Sequence, residues 1–346
     1  MNVASPQECL EAHRKASEGV DDALKQFLNE KAIGPAASMY RMLMYFMGFL
    51  DEKFRDESPG VGGKRFRPAL CLLMAEAYGA RDKTMDAALC IELFHNFTLI
   101  HDDVEDRDEE RRNRPTVWKL WGVNHAINSG DMQMLITAEL CTRIDRAQSS
   151  VLMRAFQEVI EGQFLDFELT DKPIGDEAVS EARAFLVNQK KTGALIAASC
   201  EVAGIAGGQN AEECAHLREY GVALGQLFQL VDDYRSVWET QAETGKDTDS
   251  DIREHKRTVP FFAAYEELKG SDKQRLEVLY SLARQLTDRE IKEALVLIDS
   301  TDAKEEVLSD IQKYATEARS AAEKLSVSED TKAILAGVVE MLVPKV

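Results

Sequence analysis

The 346-residue sequence lacks the features that mark several common classes of protein. Its six cysteines lie far apart and form no C-x-x-C pair, which argues against a zinc site or a redox motif. No apolar run approaches the ~18 residues that a membrane span needs. The amino-terminal segment has no apolar stretch of the kind found in secretory signals. We therefore expect a cytoplasmic protein with reduced cysteines.

The sequence also has fewer basic residues (42 Lys and Arg) than acidic ones (61 Asp and Glu). The formal net charge is -19, which argues against a nucleic-acid-binding protein because phosphate backbones require a basic surface. The 45% hydrophobic and 30% charged fractions are typical of a globular chain with a sizeable core. An anionic ligand would therefore have to meet a local cluster of basic residues.

Strand patterns are nearly absent, whereas apolar residues recur at helical spacing almost everywhere, which predicts an all-α fold. Helices are predicted over residues 36–53, 68–78, 82–102, 124–143, 151–168, 176–200 and 211–238, and from 260 onward. Beyond Ser300, two further segments have the pattern of amphipathic helices. No Gly/Ser-rich or Pro-rich linker divides the chain, so we predict one domain over residues 1–346, with a core of about 62–260 and carboxyl-terminal helices over about 261–346.

A first acidic motif follows an apolar helical segment, ALCIELFHNFTLI. Asp102, Asp103 and Asp106 fall within one arc of a helix that turns about 100° per residue. Carboxylates this close repel one another unless a divalent cation binds them, and magnesium combines a few carboxylates with phosphate oxygens and water. The pattern thus indicates a metal site for a phosphorylated substrate, although a solvated acidic helix end is the simpler alternative.

A group of arginines follows in RDEERRNRPT. The guanidinium groups of Arg111, Arg112 and Arg114 match phosphate oxygens bidentately. An acidic face followed by arginines favours a metal-bridged diphosphate, while a purely structural ion-pair network remains the alternative.

A second acidic motif, FQLVDD, contains Asp232 and Asp233, with Gln229 on the same helical arc. Ser236 stands four residues after Asp232, where a third carboxylate would complete the set. Arg235 projects to the far side of an ideal helix and need not enter the site. We therefore expect a weaker cation site than the first.

Basic residues occur at three other places. A glycine-rich turn leads to Lys64, Arg65 and Arg67 at the start of a helix, an arrangement that suits an anion but lacks the spacing of a P-loop. Lys191 enters an apolar helix, where a lone lysine often only extends its ammonium to the surface. The segment TGKDTDSDIREHKRTVP adds Lys246, Asp251 and Lys256, and on its own it resembles any exposed loop.

Taken in order, the motifs GGKRFRP, HNFTLIHDDVED with RRNRPT, GD, GQFLD, KTGAL, FQLVDD and GKDTDSDIREHKRT resemble those of the trans-isoprenyl diphosphate synthases. The resemblance spans residues 62 to 260. It implies an all-α fold of long helices around a deep central cavity, a magnesium requirement and, as is usual in this family, a homodimer.

The resemblance also implies a role for individual residues. The magnesium ligands would be Asp102, Asp103 and Asp106 in the first motif and Asp232 and Asp233 in the second. The isopentenyl diphosphate pocket would contain Gly63, Lys64, Arg67, His95 and Arg112. Arg111 would bind the allylic diphosphate, and Lys191, Thr192, Gln229, Lys246 and Lys256 would contact that diphosphate or its metals. Gln163 and Asp166 match a supporting pair, and Asp131 matches a structural residue.

The implied reaction is condensation of isopentenyl diphosphate with an allylic diphosphate to give a linear prenyl diphosphate. Phe97 and Thr98, five and four residues before the first motif, resemble the pattern of enzymes that stop at C20, with C15 next. Helical geometry places Phe97 nearly opposite the aspartates, so simple core packing stays an alternative. Two rival functions also stay open, a terpene synthase on the same scaffold and a non-catalytic subunit of a heteromeric synthase.

Overall fold

The computed structural model describes residues 2–57, 61–239 and 250–345. Over these residues the chain is all-α, as the sequence predicts, with one small antiparallel hairpin of strands β1 (Glu110–Arg111) and β2 (Arg114–Pro115). None of the helices in this part of the chain is long and apolar enough to cross a membrane.

The chain packs as two compact units. The first unit comprises Gln7–Met153 and Ser199–Cys214, and the second comprises Met1–Pro6, Arg154–Ala198 and Ala215–Val346. The single domain expected from the sequence stays a prediction.

The first unit is built around a long central helix. Its helices are α1 (Pro6–Ser17), α2 (Val20–Lys31), α3 (Ala37–Phe46), α4 (Phe66–Ala77), α5 (Arg81–Glu105), α6 (Val117–Trp121) and α7 (Val123–Cys141). Helix α5 packs against α4 and α7. Between Ala87 and Phe97 nearly every residue of α5 is buried, because neighbouring helices cover it. This burial fixes the end of α5, where the first acidic motif lies.

Apart from α1, whose first residue Pro6 belongs to the second unit, three helices have residues in both units: α8 (Arg146–Asp171), α10 (Ala194–Ala206) and α11 (Ala211–Trp238). The second unit also contains α9 (Glu181–Val187), a π-helix (Asn188–Gly193), α12 (Ser250–Arg253), α13 (Val259–Glu267), α14 (Gly270–Leu279), α15 (Asp288–Asp299), α16 (Ala303–Lys324) and α17 (Glu329–Leu342). Helices α16 and α17 pack on each other, which confirms the two amphipathic helices predicted beyond Ser300.

Two predicted helices differ from the structure. The helix predicted over 36–53 ends at Phe46, because Gly48 adopts a left-handed conformation (φ 82°) and lies directly against the main chain of Gly62. The helix predicted over 176–200 begins only at Glu181, where the Ser180 hydroxyl accepts a hydrogen bond from the main-chain N–H of Arg183. The π-helix then interrupts it.

Candidate active site

The first acidic motif lies at the carboxyl-terminal end of α5. Asp102 and Asp103 are in the last turn, and Asp106 is the residue that caps it. The carboxyl end of a helix carries partial negative charge, so carboxylates gathered there are unfavourable unless cations lie close by.

One of these aspartates already has a cationic partner. Asp103 is only 1% exposed, and its Oδ1 accepts a hydrogen bond from Arg111 Nε. Its Oδ2 is buried and has no hydrogen-bond partner among the described residues. Burial raises the pKa of Asp103 to about 7, although Arg111 acts to lower it. The buried oxygen without a partner is suited to a further cation.

The other two aspartates, Asp102 and Asp106, are half-buried. Arg111 competes for Asp103 and holds it in the interior. Within residues 2–57, 61–239 and 250–345, no three acidic, histidine or cysteine side chains are already grouped to hold a metal ion. The metal-binding role of Asp102, Asp103 and Asp106 stays a prediction.

A tight hairpin divides the neighbouring arginines between two directions. Arg112 and Asn113 connect β1 to β2 and both have positive φ (55° and 57°), as a two-residue type I′ turn requires. Arg111 reaches Asp103, whereas Arg112 Nη1 donates to the Phe46 carbonyl (3.4 Å) and its guanidinium lies 5.7 Å from the Phe46 ring. The hairpin thus links the acidic motif to the segment after α3.

Arg114 is not beside the carboxylates, where the sequence pattern placed it with the other two arginines. It donates to the carbonyls of Tyr45 (3.0 Å) and Leu50 (2.7 Å) and stacks 4.0 Å above the Tyr45 ring. It also forms an ion pair with Glu57 (3.7 Å), so these contacts anchor the hairpin.

Four members of the predicted isopentenyl pocket meet in pairs within the first unit. The main chain of Gly63 lies so close to Arg112 that a Cβ at position 63 would be 2.8 Å from its guanidinium. Arg67 Nη1 lies 3.2 Å from His95 Nε2. Lys64, the fifth member, is exposed next to Gly63. These contacts place Arg67 and Arg112 in the same unit, where the charge of Glu92 acts on both.

The Arg67 contact also fixes the form of His95. A guanidinium can only donate, so His95 Nε2 must accept and its proton lies on Nδ1. Burial lowers the pKa of His95 well below its usual range, and the charges of Arg67 and Arg112 lower it further. His95 is therefore a neutral side chain near pH 7 that can donate through Nδ1.

His101, just before the first motif, is a site residue that the sequence reasoning missed. Its ring lies directly against Gly130, where any Cβ would collide with it, and its Nε2 is 3.2 Å from the Ile127 carbonyl and 3.7 Å from Asp131. The Gly-Asp pair at 130–131 was the available signal, since a glycine inside a helix often marks a close neighbour.

The two chain-length candidates lie one turn before the motif. Phe97 is buried and its ring packs 5.3 Å from Phe94 and 4.9 Å from His101. Thr98 is half-buried and donates to the His95 carbonyl (2.8 Å). Phe97 thus packs in the core, and its role in chain length stays a prediction.

In the second unit, the π-helix presents two of the predicted residues. Lys191 Nζ pairs with Asp166 at 2.8 Å, and Thr192 Oγ1 donates to Gln229 Oε1 at 2.8 Å. Gln229 in turn donates to Asp233 Oδ1 at 2.9 Å. A π-helix adds a residue to the turn and often occurs at functional sites. The structure therefore brings together most of the residues that the resemblance assigned in this unit.

Asp233 is as buried as Asp103 but has neutral partners. It is 1% exposed and accepts from the side-chain amides of Gln229 and of Asn188, the latter at 3.3 Å. Burial raises its pKa to about 8, the amides act to lower it, and the nearby charges of Asp251 and Asp232 raise it.

Ser236 stands where a third aspartate would complete the second motif. Its hydroxyl donates to the Asp233 carbonyl at 2.8 Å, and Ser236 lies beside Asp251, whose pKa it acts to lower while burial raises it. Asp251 also lies close to the charges of Asp232 and Lys256. From the sequence Asp251 looked like part of an exposed loop, and only the fold reveals that it lies beside Ser236.

The other unusual residues of this motif serve packing. Arg235 pairs with Glu239 (3.3 Å) and donates to the Leu342 carbonyl (3.5 Å), so it points away from the two aspartates, as predicted. Tyr234 is buried and packs against Trp238. Lys256 pairs with Glu254 at 3.1 Å. Lys246 lies outside the described residues.

Similarity to known proteins decides the family. A model of the polyprenyl synthetase family matches residues 52–298. This chain belongs to that family. The polyprenyl synthetase of Streptomyces coelicolor is a structural neighbour with a TM-score of 0.84 and 28% identity, covering 96% of this chain and 98% of its own. These matches confirm the family resemblance and the isoprenoid-synthase type of fold.

Two further relatives bear more specific names. The (2E,6E)-farnesyl diphosphate synthase of Mycobacterium tuberculosis is 38% identical over 229 residues, which are 64% of this chain and 62% of that enzyme. The chain thus aligns with less than two thirds of this relative's length. Geranylgeranyl pyrophosphate synthase from Corynebacterium glutamicum, solved with isoprenyl diphosphate and magnesium, has a TM-score of 0.79 and 25% identity, covering 95% of this chain and 98% of its own.

Proposed function

We propose that this protein is a trans-prenyltransferase that condenses isopentenyl diphosphate with an allylic diphosphate and releases a linear prenyl diphosphate of C15 or C20. The observation that supports this most directly is the basic cluster of Gly63, Lys64, Arg67, His95 and Arg112, assembled in the same unit as the first acidic motif. A terpene synthase needs no second diphosphate pocket, so the cluster favours chain elongation.

Magnesium is the metal that fits this site best. The buried Asp103 oxygen without a partner and the carboxylates of Asp102 and Asp106 at a helix carboxyl end are hard oxygen ligands for a divalent cation. We assign Asp232 and Asp233 to the same task in the second unit. When bound there, magnesium would supply Lewis-acid stabilisation of the leaving diphosphate. The relative from Corynebacterium was solved with this metal.

The remaining residues stabilise charge on the allylic diphosphate. Arg111, Lys191, Lys246 and Lys256 would contribute fixed positive charge where negative charge develops on the departing oxygens, and Thr192 and Gln229 would hold polar contacts beside them. In the structure, Lys191 and Lys256 are ion-paired with carboxylates of their own unit. We infer that these pairs exchange for the diphosphate on binding.

A product assay tests this function. Purified protein with magnesium, labelled isopentenyl diphosphate and dimethylallyl, geranyl or farnesyl diphosphate should give a labelled linear C15 to C20 diphosphate. A cyclic hydrocarbon without isopentenyl incorporation would contradict the proposal and favour a terpene synthase. No product from any primer would favour a non-catalytic subunit.

Phe97 is proposed as the residue that limits product length. Phe97→Ala should lengthen the product, because removal of the ring opens space one turn before Asp102. Thr98→Ala tests the second chain-length candidate in the same way, and the smaller change should have the smaller effect. Products are resolved by chromatography against chain-length standards, and an unchanged distribution for Phe97→Ala would reject the assignment.

We also propose that the protein is a homodimer in the cytoplasm. Helix α8 exposes Ile160, Phe164 and Phe167, which recur at helical spacing along one face, and this is a large apolar surface for a helix exposed to water. The six cysteines form no disulfide, which suits a reducing compartment. Phe164→Glu should convert a dimer to a monomer in light scattering, whereas a wild-type monomer would contradict the proposal.

A further inference from the structure

Arg65 stands between two members of the predicted isopentenyl pocket, Lys64 and Arg67, but its side chain is buried. It precedes α4 with a left-handed main chain (φ 50°). Its guanidinium donates to Glu92 (2.9 Å), to Asp21 (2.7 Å) and to the Met47 carbonyl (2.9 Å). Arg65 therefore connects the start of α4 to three other segments of the first unit. These contacts hold a non-glycine residue in an otherwise unfavourable conformation.

The glycine turn before Arg65 is packed on the same guanidinium. A Cβ on Gly62 would lie 2.5 Å from the Met47 carbonyl and 2.9 Å from Arg65 Nη2, and one on Gly63 would lie 2.8 Å from Arg112. The main chain of this turn thus lies directly against the Met47 carbonyl and the Arg65 guanidinium. The position of Gly63 thus depends on Arg65.

Glu92, on α5, is the acidic partner in this arrangement. The Arg65 and Glu92 side chains are 5% and 3% exposed, and Glu92 Oε1 accepts from both Arg65 and the Asn96 amide (2.8 Å). Its charge also reaches two residues of the pocket. Burial lowers the pKa of Arg67 and of Arg112 to about 10, and Glu92 acts in the opposite direction on both.

We propose that the buried Arg65–Glu92 ion pair is the positioning device of the isopentenyl diphosphate subsite. It holds the glycine turn and the first residue of α4 in place, so that Lys64, Arg67 and Arg112 are arranged before the diphosphate arrives. Neither Arg65 nor Glu92 touches the ligand. The inference rests on the proposed function, because that function names the ligand of this cluster.

A stability role alone does not account for the pair. Replacing a buried ion pair by apolar side chains of similar volume is often neutral or stabilising, because two charges must otherwise be removed from water. Grouped guanidinium ions repel one another, and a fixed buried carboxylate offsets part of that repulsion while leaving net positive charge for a diphosphate. Prearranged charges bind an anion with less ordering cost.

The test is a comparison of two Michaelis constants. Arg65→Lys keeps the positive charge, but one ammonium nitrogen cannot replace the three guanidinium nitrogens that donate to three separate acceptors. Glu92→Gln keeps an accepting oxygen but removes the negative charge. For both variants we expect the KM for isopentenyl diphosphate to rise on the order of tenfold, as small misplacements of binding groups do. The KM for the allylic diphosphate should change by less than about twofold, which is the size of effect expected from an exposed charged group.

The matched control is Asp21→Asn. Asp21 is the other side chain that accepts from Arg65, but it is 60% exposed and its loss should have little effect. The control should keep both KM values near those of the wild type. Equal increases in both KM values for Arg65→Lys and Glu92→Gln would overturn the inference, because they would reflect a general loss of structure.

A second variant covers the case in which single changes unfold the protein. Arg65→Met with Glu92→Leu removes both charges together, and such replacements commonly preserve folding. Circular dichroism and thermal unfolding establish that the double variant is folded. A raised KM for isopentenyl diphosphate in the folded double variant supports the positioning role, and an unchanged KM overturns it.

Calorimetry separates this inference from the proposed function. If the wild-type protein shows no turnover, the proposed function fails, and titration with inorganic diphosphate then decides the inference. Binding that is lost in Arg112→Ala and weakened about tenfold in Arg65→Lys keeps the positioning role for an anion subsite. If inorganic diphosphate does not bind the wild type, or binds both variants equally well, the inference fails as well.

Discussion

Asp103 and Asp233 are the second aspartates of the two Asp-Asp pairs, and the chain buries them to the same degree by different means. Both are 1% exposed. Asp103 is held by the guanidinium of Arg111, whereas Asp233 is held by the neutral amides of Gln229 and Asn188. The first solution joins the motif to an arginine hairpin, while the second joins the motif to the π-helix.

This difference shows that two motifs of similar sequence can depend on charge to different degrees for the stability of their buried aspartates. In the first motif, ionised Asp103 offsets the charge of Arg111. Removing either charge leaves the other without its partner, and this lowers the stability of the fold. In the second motif, the partners of Asp233 donate hydrogen bonds without carrying charge, so a neutral acceptor can replace the carboxylate. The following predictions test this contrast, from the largest expected effect to the smallest.

The largest effect is expected at the first aspartate of each pair. Asp102→Ala should reduce kcat on the order of a thousandfold, because it removes a ligand of the cation that offsets charge on the leaving group. Asp232→Ala should also reduce kcat, but by less, since the second motif has fewer carboxylates. Steady-state rates at saturating magnesium measure both. A larger loss for Asp232→Ala would reverse the proposed ranking of the two motifs.

Substitution of the second aspartate of each pair should lower the free energy of unfolding by different amounts. Asp103→Asn should lower the free energy of unfolding by about 2 kcal/mol, below the ~3–5 kcal/mol of a fully buried pair because the Arg111 side chain is 26% exposed. Asp233→Asn keeps an acceptor for Gln229 and should cost about 1 kcal/mol or less. Urea unfolding without metal gives both values. Equal losses would show that the charge of Arg111 is not what distinguishes the sites.

Helical periodicity predicted most of this fold, because long helices with buried faces leave a strong pattern. The range 211–238 agrees with α11 in full, whereas the helix predicted over 36–53 was too long. Its true end depends on the close approach of Gly48 to Gly62, a contact between segments that local pattern does not contain. Family resemblance supplied the predicted site residues, but it could not give the partners that the structure shows for them.

The missing partners share one physical cause. Arg114 was grouped with Arg111 and Arg112 because all three lie within four positions, yet the carbonyls of Tyr45 and Leu50 and the Tyr45 ring hold its guanidinium elsewhere. Asp251 looked like part of an exposed loop, because nothing in its neighbourhood along the chain places it beside Ser236. Side-chain direction and long-range packing decide such contacts, and sequence spacing does not report them.

The smallest effect is expected at Ser236. Ser236→Ala removes the hydroxyl that donates to the Asp233 carbonyl and lies beside Asp251, which should cost about 1 kcal/mol and reduce kcat by less than about tenfold. Ser236→Thr keeps the hydroxyl and is the matched control, which should stay close to the wild type. Rates and thermal unfolding are measured for both. If Ser236→Ala equals Asp232→Ala in its loss of activity, the hydroxyl itself belongs to the binding machinery, and the second motif is more complete than its two carboxylates indicate.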